Sequence, residues 1–165
     1  MTFPSQVNTV PAIGVAGDFA STNPRVSVIN QQGAFVAGTG GVNVGLFAWA
    51  DATFNRTVLN AGTGAPTGFV AREQQAMIVT YLAENSANIP AGMPVTLYSS
   101  GEFFVTNAGA GAVTIGMKAF TSLTTGAVQF AATATVIAGF IETKWYARSA
   151  AGIGELVKMS SHALG

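Results

Sequence analysis

Glycine punctuation narrows the fold of this chain more than any other feature. Its glycines gather at Gly38, Gly40 and Gly41, at Gly62, Gly64 and Gly68, and at Gly109 and Gly111. Between these groups lie runs of Val, Ile, Thr, Phe and Tyr, which suit a pleated sheet and lose side-chain freedom in a helix. Short runs of that kind, broken by glycine roughly every 8–12 residues, read as the antiparallel strands of a sandwich or barrel. The expected fold class is all-β.

Individual strands can be placed. Residues 43–51, "NVGLFAWAD", alternate Val44, Leu46 and Ala48 against Gly45, Phe47 and Trp49. Residues 94–100, "PVTLYSS", set Val95, Leu97 and Ser99 opposite Thr96, Tyr98 and Ser100. Residues 101–120 read as two strands, Phe103 to Thr106 and Ala112 to Phe120, around a glycine turn. Residues 127–150 hold two or three more, with Gly139 as a bend or bulge, and 154–161 a short last one. Residues 71–87, "AREQQAMIVTYLAENSA", open with helix formers. Their centre, "MIVTYL", is β-branched and aromatic, and a strand is favoured over an amphipathic helix. Residues 1–40 hold three of the six prolines and are the least strand-like. They are expected to form an extended arm with one short strand at "RVSVIN", ahead of a β-sandwich domain over 41–165.

Charge sharpens the functional reading. Seven acidic and seven basic residues make 8% of 165 and cancel, against about 25% charged in ordinary soluble domains. A zero balance gives no footprint for nucleic acid or for anionic membrane. A compact monomer of 16.8 kDa exposes about 7,700 Å². Fourteen ionised groups cannot coat that area, and an uncharged coat favours self-association. Much of this surface is therefore expected to meet other protein.

Sites for chemistry are scarce. There is no cysteine, so disulfides and thiolate zinc sites are excluded. His162, the single histidine, stands near the C-terminus and is read as a surface residue rather than the base of a triad. Neither "GTGGVNVG" nor "GTGAPTG" carries the lysine or the spacing of a phosphate loop. The carboxylates Asp18, Asp51, Glu73, Glu84, Glu102, Glu142 and Glu155 are scattered, with no local pair for acid–base work. "NRT" at Asn55 is a bare sequon. No enzyme activity and no cofactor are expected. The start, "MTFPSQVNTV", lacks a basic and an apolar leader region, and no run of 18 apolar residues occurs. Cytosolic synthesis is the expectation.

Rare charges and large aromatics are the candidate contact residues. In "GVAGDFASTNPR" (14–25), Asp18 and Arg25 flank Phe19 and Asn23 among small uncharged residues. Asp18 and Arg25 either pair with each other, or reach a neighbouring subunit where Arg25 grips a carboxylate. Trp49, Phe54 and Trp145 are either core residues or interface anchors.

"GVAGDFASTNPRVSV" followed by "GAFVAGTGGVNVGLFAWAD" resembles the N-terminal region of the structural cement, or capsid decoration, proteins of tailed bacteriophages. The later "GFVAREQQAMIVTYLAENSANIPAGMPVTLYSSGEFFV" and the closing "GELVKMSS" are similar in order and spacing. That resemblance implies a jelly-roll-like subunit with an extended N-terminal arm, seated on the outer capsid surface of the virion. There it would bridge major capsid protein subunits and stabilise the mature, DNA-filled head. It brings no catalytic residues, and it makes Asp18, Phe19, Asn23 and Arg25 contacts to capsid or partner. A homodimer is the favoured working unit, ahead of a trimer. The competing reading is a virion-surface β-sandwich that binds host glycans through Trp49 or Trp145.

Overall fold

The structure, a computed structural model, describes residues 13–31, 33–51, 56–73 and 87–162. No helix occurs among them. The chain is all-β, in sandwich-like sheets whose pairings are antiparallel apart from one. Phe54, Asn55 and the core of the 71–87 segment lie outside the described residues.

One sheet has seven strands: β1 (Val26–Ser27), β2 (Phe35–Ala37), β4 (Phe47–Ala50), β5 (Thr57–Leu59), β6 (Gly68–Val70), β8 (Pro94–Val95) and β9 (Leu97–Ser100). They run in the order β1-β9-β6-β4-β5-β2-β8, with β2 and β5 parallel. Only Thr96 separates β8 from β9. The far end of this sheet therefore returns to the stretch of chain that carries its near end, and the sheet curls around its own interior. A two-stranded ribbon, β3 (Val42–Asn43) with β7 (Asn88–Ile89), adds Val42 and Ile89 to that interior.

The second sheet is simpler. β10 (Glu102–Thr106), β11 (Lys118–Ser122), β12 (Val128–Ala131), β13 (Phe140–Ala147) and β14 (Leu156–Ser160) pair in the order β10-β14-β13-β11-β12. It lies against the outer face of the curled sheet.

Two cores result, and the alternation read at 43–51 and 94–100 is the reason. On β4, Phe47 and Trp49 face the five-stranded sheet while Ala48 faces the curled interior. On β6, Phe69 and Val70 divide in the same way, as do Tyr98 and Leu97 on β9. Phe69 is fully buried at the centre of the first core, 5.4 Å from Phe47, 4.9 Å from Phe103 and 6.3 Å from Trp145 between ring centroids. Tilted and edge-on rings at these distances suit the aromatic quadrupole. A sheet buried on both faces has no side where a charge would reach water.

Two local expectations need correction. The strand expected over 112–120 begins only at Lys118, because Gly116 takes a φ of 92° and turns the chain. Before that turn, Val113 makes only an isolated bridge with Ala151. Among the described residues up to 40 there are two strands where one was expected: besides β1, Phe35 and Ala37 of β2 are buried in the curled interior. Gly139 does bend the chain, at φ 76°, directly before β13.

Replacing Phe69 with Ala removes the ring common to three aromatic pairs and leaves a cavity between the sheets. The expected cost is about 3–5 kcal/mol, read as a lower urea midpoint with an unchanged denaturant slope.

Candidate functional site

The segment 13–25 runs along the open edge of β10. The Gly17 N–H donates to the Phe104 carbonyl (2.8 Å), the Phe104 N–H to the Asp18 carbonyl (2.9 Å) and the Ala20 N–H to the Glu102 carbonyl (3.0 Å). Phe19 and Phe103 form an antiparallel bridge. These bonds add the segment to the five-stranded sheet and cover an edge that would otherwise invite foreign strands. Glycine is required where it enters. Gly17 has φ 93°, and a Cβ there would sit 3.0 Å from the Gly45 amide nitrogen, tighter than side chains tolerate.

Phe19 drives the segment home. Its ring lies 5.8 Å from Tyr98, edge-on, and 5.5 Å from Phe103, so it extends the aromatic core outward. Arg25 then returns over it, with the guanidinium carbon 4.0 Å from the ring centroid, a cation–π contact on an exposed surface.

Asp18 and Arg25 do not pair. The Asp18 carboxylate takes the Arg72 guanidinium at 3.2 Å and accepts the Val15 N–H at 2.9 Å. Its neighbour in space is fixed by strand pairing, not by sequence distance. The Arg72 and Asp18 side chains keep 42% and 30% of their exposure, so this ion pair contributes little to stability on its own.

Asn23 points the other way, to Glu102. The Asn23 amide donates to Glu102 Oε2 (3.1 Å) and the Ser160 hydroxyl to Oε1 (3.0 Å). Burial pushes the Glu102 carboxyl up, but hydrogen bonds from Ser21, Ser160 and Asn23, with the nearby His162, outweigh it and hold the group below its ordinary value. His162 Nε2 lies 3.1 Å from the Pro24 carbonyl, and its backbone N–H donates to Ser160 Oγ. The C-terminal end of β14 and the segment are thus clasped together, which the surface reading of His162 did not foresee. Beside the clasp, Gly101 accepts φ 144° with Arg25 Cβ close by, and its N–H donates to Ser161 Oγ (2.9 Å).

Tyr98 and Glu73 complete the surroundings. The Tyr98 hydroxyl donates to Glu73 Oε1. Burial, that hydrogen bond and the Glu73 charge push the phenol up to about 12, against the opposing pull of Arg25.

Asp18, Phe19, Asn23 and Arg25 therefore meet along one seam, as a structural clasp with one polar surface. The two tryptophans do not join them. Trp49 is 7% and Trp145 3% exposed, both in the core between the sheets. Trp49 Nε1 donates to the Gly64 carbonyl (3.0 Å), which satisfies its polar atom inside. As surface anchors they are unavailable in this subunit. What the sequence reading missed is Glu102, the hub of the clasp. Its only signal was a carboxylate at the start of an otherwise apolar strand.

The clasp has a pH signature. A carboxyl ionising below its ordinary value of 4.5 contributes stability above that pH and loses it as pH falls through the folded value. Replacing Glu102 with Gln is expected to flatten this part of the acid limb. The stability difference between the two chains, from urea unfolding at stepped pH, should shrink as pH drops below 4.5.

Known proteins supply the context. Residues 3–161 match the family model described as XM1 gp53 minor capsid protein. A solved structure, "The capsid of Myoviridae Phage XM1", contains a chain that superposes with a TM-score of 0.65 at 16% identity, covering 98% of each chain. At that identity the likeness is one of fold. No curated protein matches. With its family model spanning nearly the whole sequence, the chain belongs to the XM1 gp53 minor capsid protein family and is a phage capsid-associated structural protein of the virion.

Proposed function

We propose that this subunit is a cement protein: it sits on the outer surface of the head, bridges major capsid protein subunits and stabilises the mature, DNA-filled shell. The observation that carries this reading is a sparsely charged surface with scattered exposed aliphatic side chains on an all-β body. Ile13, Ile29, Ile115, Val136 and Ile153 are each more than 60% exposed, spread over both sheets and the arm. Such a surface loses little on desolvation, and several weak contacts made by many copies on a lattice sum to lasting attachment.

Stabilisation would follow from linkage. A ligand that binds only the mature shell lowers the free energy of that shell and of no other state. The arm supports the reading in a second way. Asn23 and Arg25 are exposed, and Arg25 rests on Phe19 with its guanidinium edge open to a carboxylate of the capsid protein. The glycan reading loses its platform, because both tryptophans it relied on are buried.

Two measurements test this. Heads stripped of the protein should release DNA at lower temperature, and adding it back should restore both surface density by cryo-electron microscopy and heat resistance. Equal heat resistance with and without it would end the cement reading. Replacing Arg25 with Ala should lower shell occupancy several-fold while the free subunit keeps its unfolding free energy within about 1 kcal/mol. Unchanged occupancy would remove the arm from the mechanism.

A further inference from the structure

All three lysines of the sequence stand on the five-stranded sheet: Lys118 on β11, Lys144 on β13 and Lys158 on β14. Strand alternation fixes the face of two of them. Ala119, Ala147, Val157 and Met159 point into the core between the sheets, so their strand neighbours Lys118, Tyr146 and Lys158 point away from it. Register agrees. Lys118 pairs with Tyr146, Tyr146 with Ser160, and Lys158 with Phe104, and residues paired across strands share a face. Lys144, two residues before Tyr146, is exposed. Arg148, directly after β13, donates its backbone N–H to the Lys158 carbonyl, which brings a fourth cation to this part of the sheet.

The sheet's own acids do not answer these charges. Among the described residues the one ion pair is Arg72 with Asp18. The two carboxylates on the strands of this sheet are engaged elsewhere: Glu102 accepts from Asn23 and Ser160, and Glu142 Oε2 takes the N–H of Ala134, held at a φ of 63° in the 132–139 loop between β12 and β13. The Lys118 ammonium lies 3.8 Å from the Tyr146 ring centroid and donates to the Thr143 carbonyl at 3.4 Å. Those contacts orient it and leave its charge in place. A chain whose charges cancel in sum has therefore separated them in space.

Spacing selects the kind of partner. Lys118 and Lys158 are two strands apart, on the order of 10 Å at ordinary strand spacing. That is about one Debye length at physiological salt, so the ammonium groups act together on whatever approaches. Duplex DNA carries a charge about every 1.7 Å and is held through many phosphate contacts, which so few cations cannot supply. Between and beside them stand the neutral side chains of Tyr146, Leu156 and Thr106, the last two paired with each other. A few cations set among neutral groups match a few carboxylates set among neutral groups, as on a protein surface.

We propose that the outer face of the five-stranded sheet, around Lys118, Lys144 and Lys158, docks an acidic patch of another protein of the head. That the partner belongs to the head rests on the function proposed above; the charge chemistry does not. The contribution of the lysines is to orientation and selection, deciding which side of the subunit a partner meets.

Fluorescence anisotropy of the full chain tests the charge chemistry. The probe is a labelled peptide of alternating Glu and Ser, with a duplex DNA of equal charge as competitor. The peptide should bind at low salt and weaken about ten-fold as salt is raised past the physiological range. Lys144→Gln with Lys158→Gln should weaken it by a similar factor. Gln31→Glu with Thr63→Glu shifts the net charge equally, at exposed positions in loops of the other sheet, and should change binding less than two-fold. All four substitutions are at exposed sites, and circular dichroism should show both variants folded. No binding of the peptide, equal loss in the two variants, or preference for the duplex would each overturn the proposal. On stripped heads the lysine variant should lower occupancy and the loop variant should not. If wild type and the lysine variant coat heads equally, the lysine face falls and the cement reading stands. If neither coats heads while peptide binding still follows the lysines, the cement reading falls and the acid-binding face stands.

Discussion

Burial of one sheet on both of its faces governs the rest of this molecule. β4, β6 and β9 send alternate side chains into two different cores, Phe47, Trp49, Phe69 and Tyr98 one way and Ala48, Val70 and Leu97 the other. A charge on such a strand would lose its hydration whichever way it pointed. The composition follows from this geometry. The ionised residues stand on the outer sheet, as with Glu102, Lys118, Glu142, Lys144 and Lys158, or just past the strand ends of the curled sheet, as with Asp51, Arg56 and Arg72. Size alternation follows as well. The core between the sheets takes the rings, whereas the curled interior is filled mostly by Ala, Val, Ile and Leu, with Phe35 as its one ring among the described residues.

A five-stranded outer sheet leaves two edges, and each is managed by backbone drawn from elsewhere. The β10 edge is taken by residues 17–20. Beside β12, the Ala108 N–H donates to the Val128 carbonyl (2.8 Å), held there by Asn107. That asparagine is 1% exposed and fully engaged. Its amide donates to the Gly111 and Gly152 carbonyls, and its Oδ1 accepts the Gly109 N–H. Buried polar groups are tolerated when every member is satisfied, and here one side chain fastens two loops across the sheet edge. The β10 edge is thus paired along residues 17–20, and the β12 edge is met at Val128.

The fold was legible for a specific reason. Where alternation runs over several residues, as at 43–51 and 94–100, the sequence displays which side chains share a face, and the structure places Phe47 with Trp49, and Val95 with Leu97. Where glycine interrupts, the reading depended on φ, which sequence does not display. Gly139 was placed correctly, while Gly116 was missed and the β11 strand was begun too early. The clasp was half legible. "GDFASTNPR" stood out as a cluster, but its partners Arg72 and Glu102 lie 54 and 79 residues away from Asp18 and Asn23. Strand order brings them there, and no local pattern encodes strand order. The tryptophans show the limit of residue type as evidence: Trp favours both interfaces and cores, and only the observed packing separates the two.

Away from the lysines of the outer sheet, specificity is the remaining difficulty for a surface with so little charge. Ionic pairs ordinarily supply register and reject wrong partners, and an aliphatic coat offers neither. Shape must take over that role, and shape discriminates only if it is rigid. The 132–139 loop meets the requirement, since Glu142 holds Ala134 in a conformation the chain would otherwise leave. The Phe19–Arg25 stack and the Glu102 hub do the same for the arm. In both places charged groups fix the form of the surface around them: Glu142 braces an uncharged loop, and Glu102 and Arg25 brace the arm.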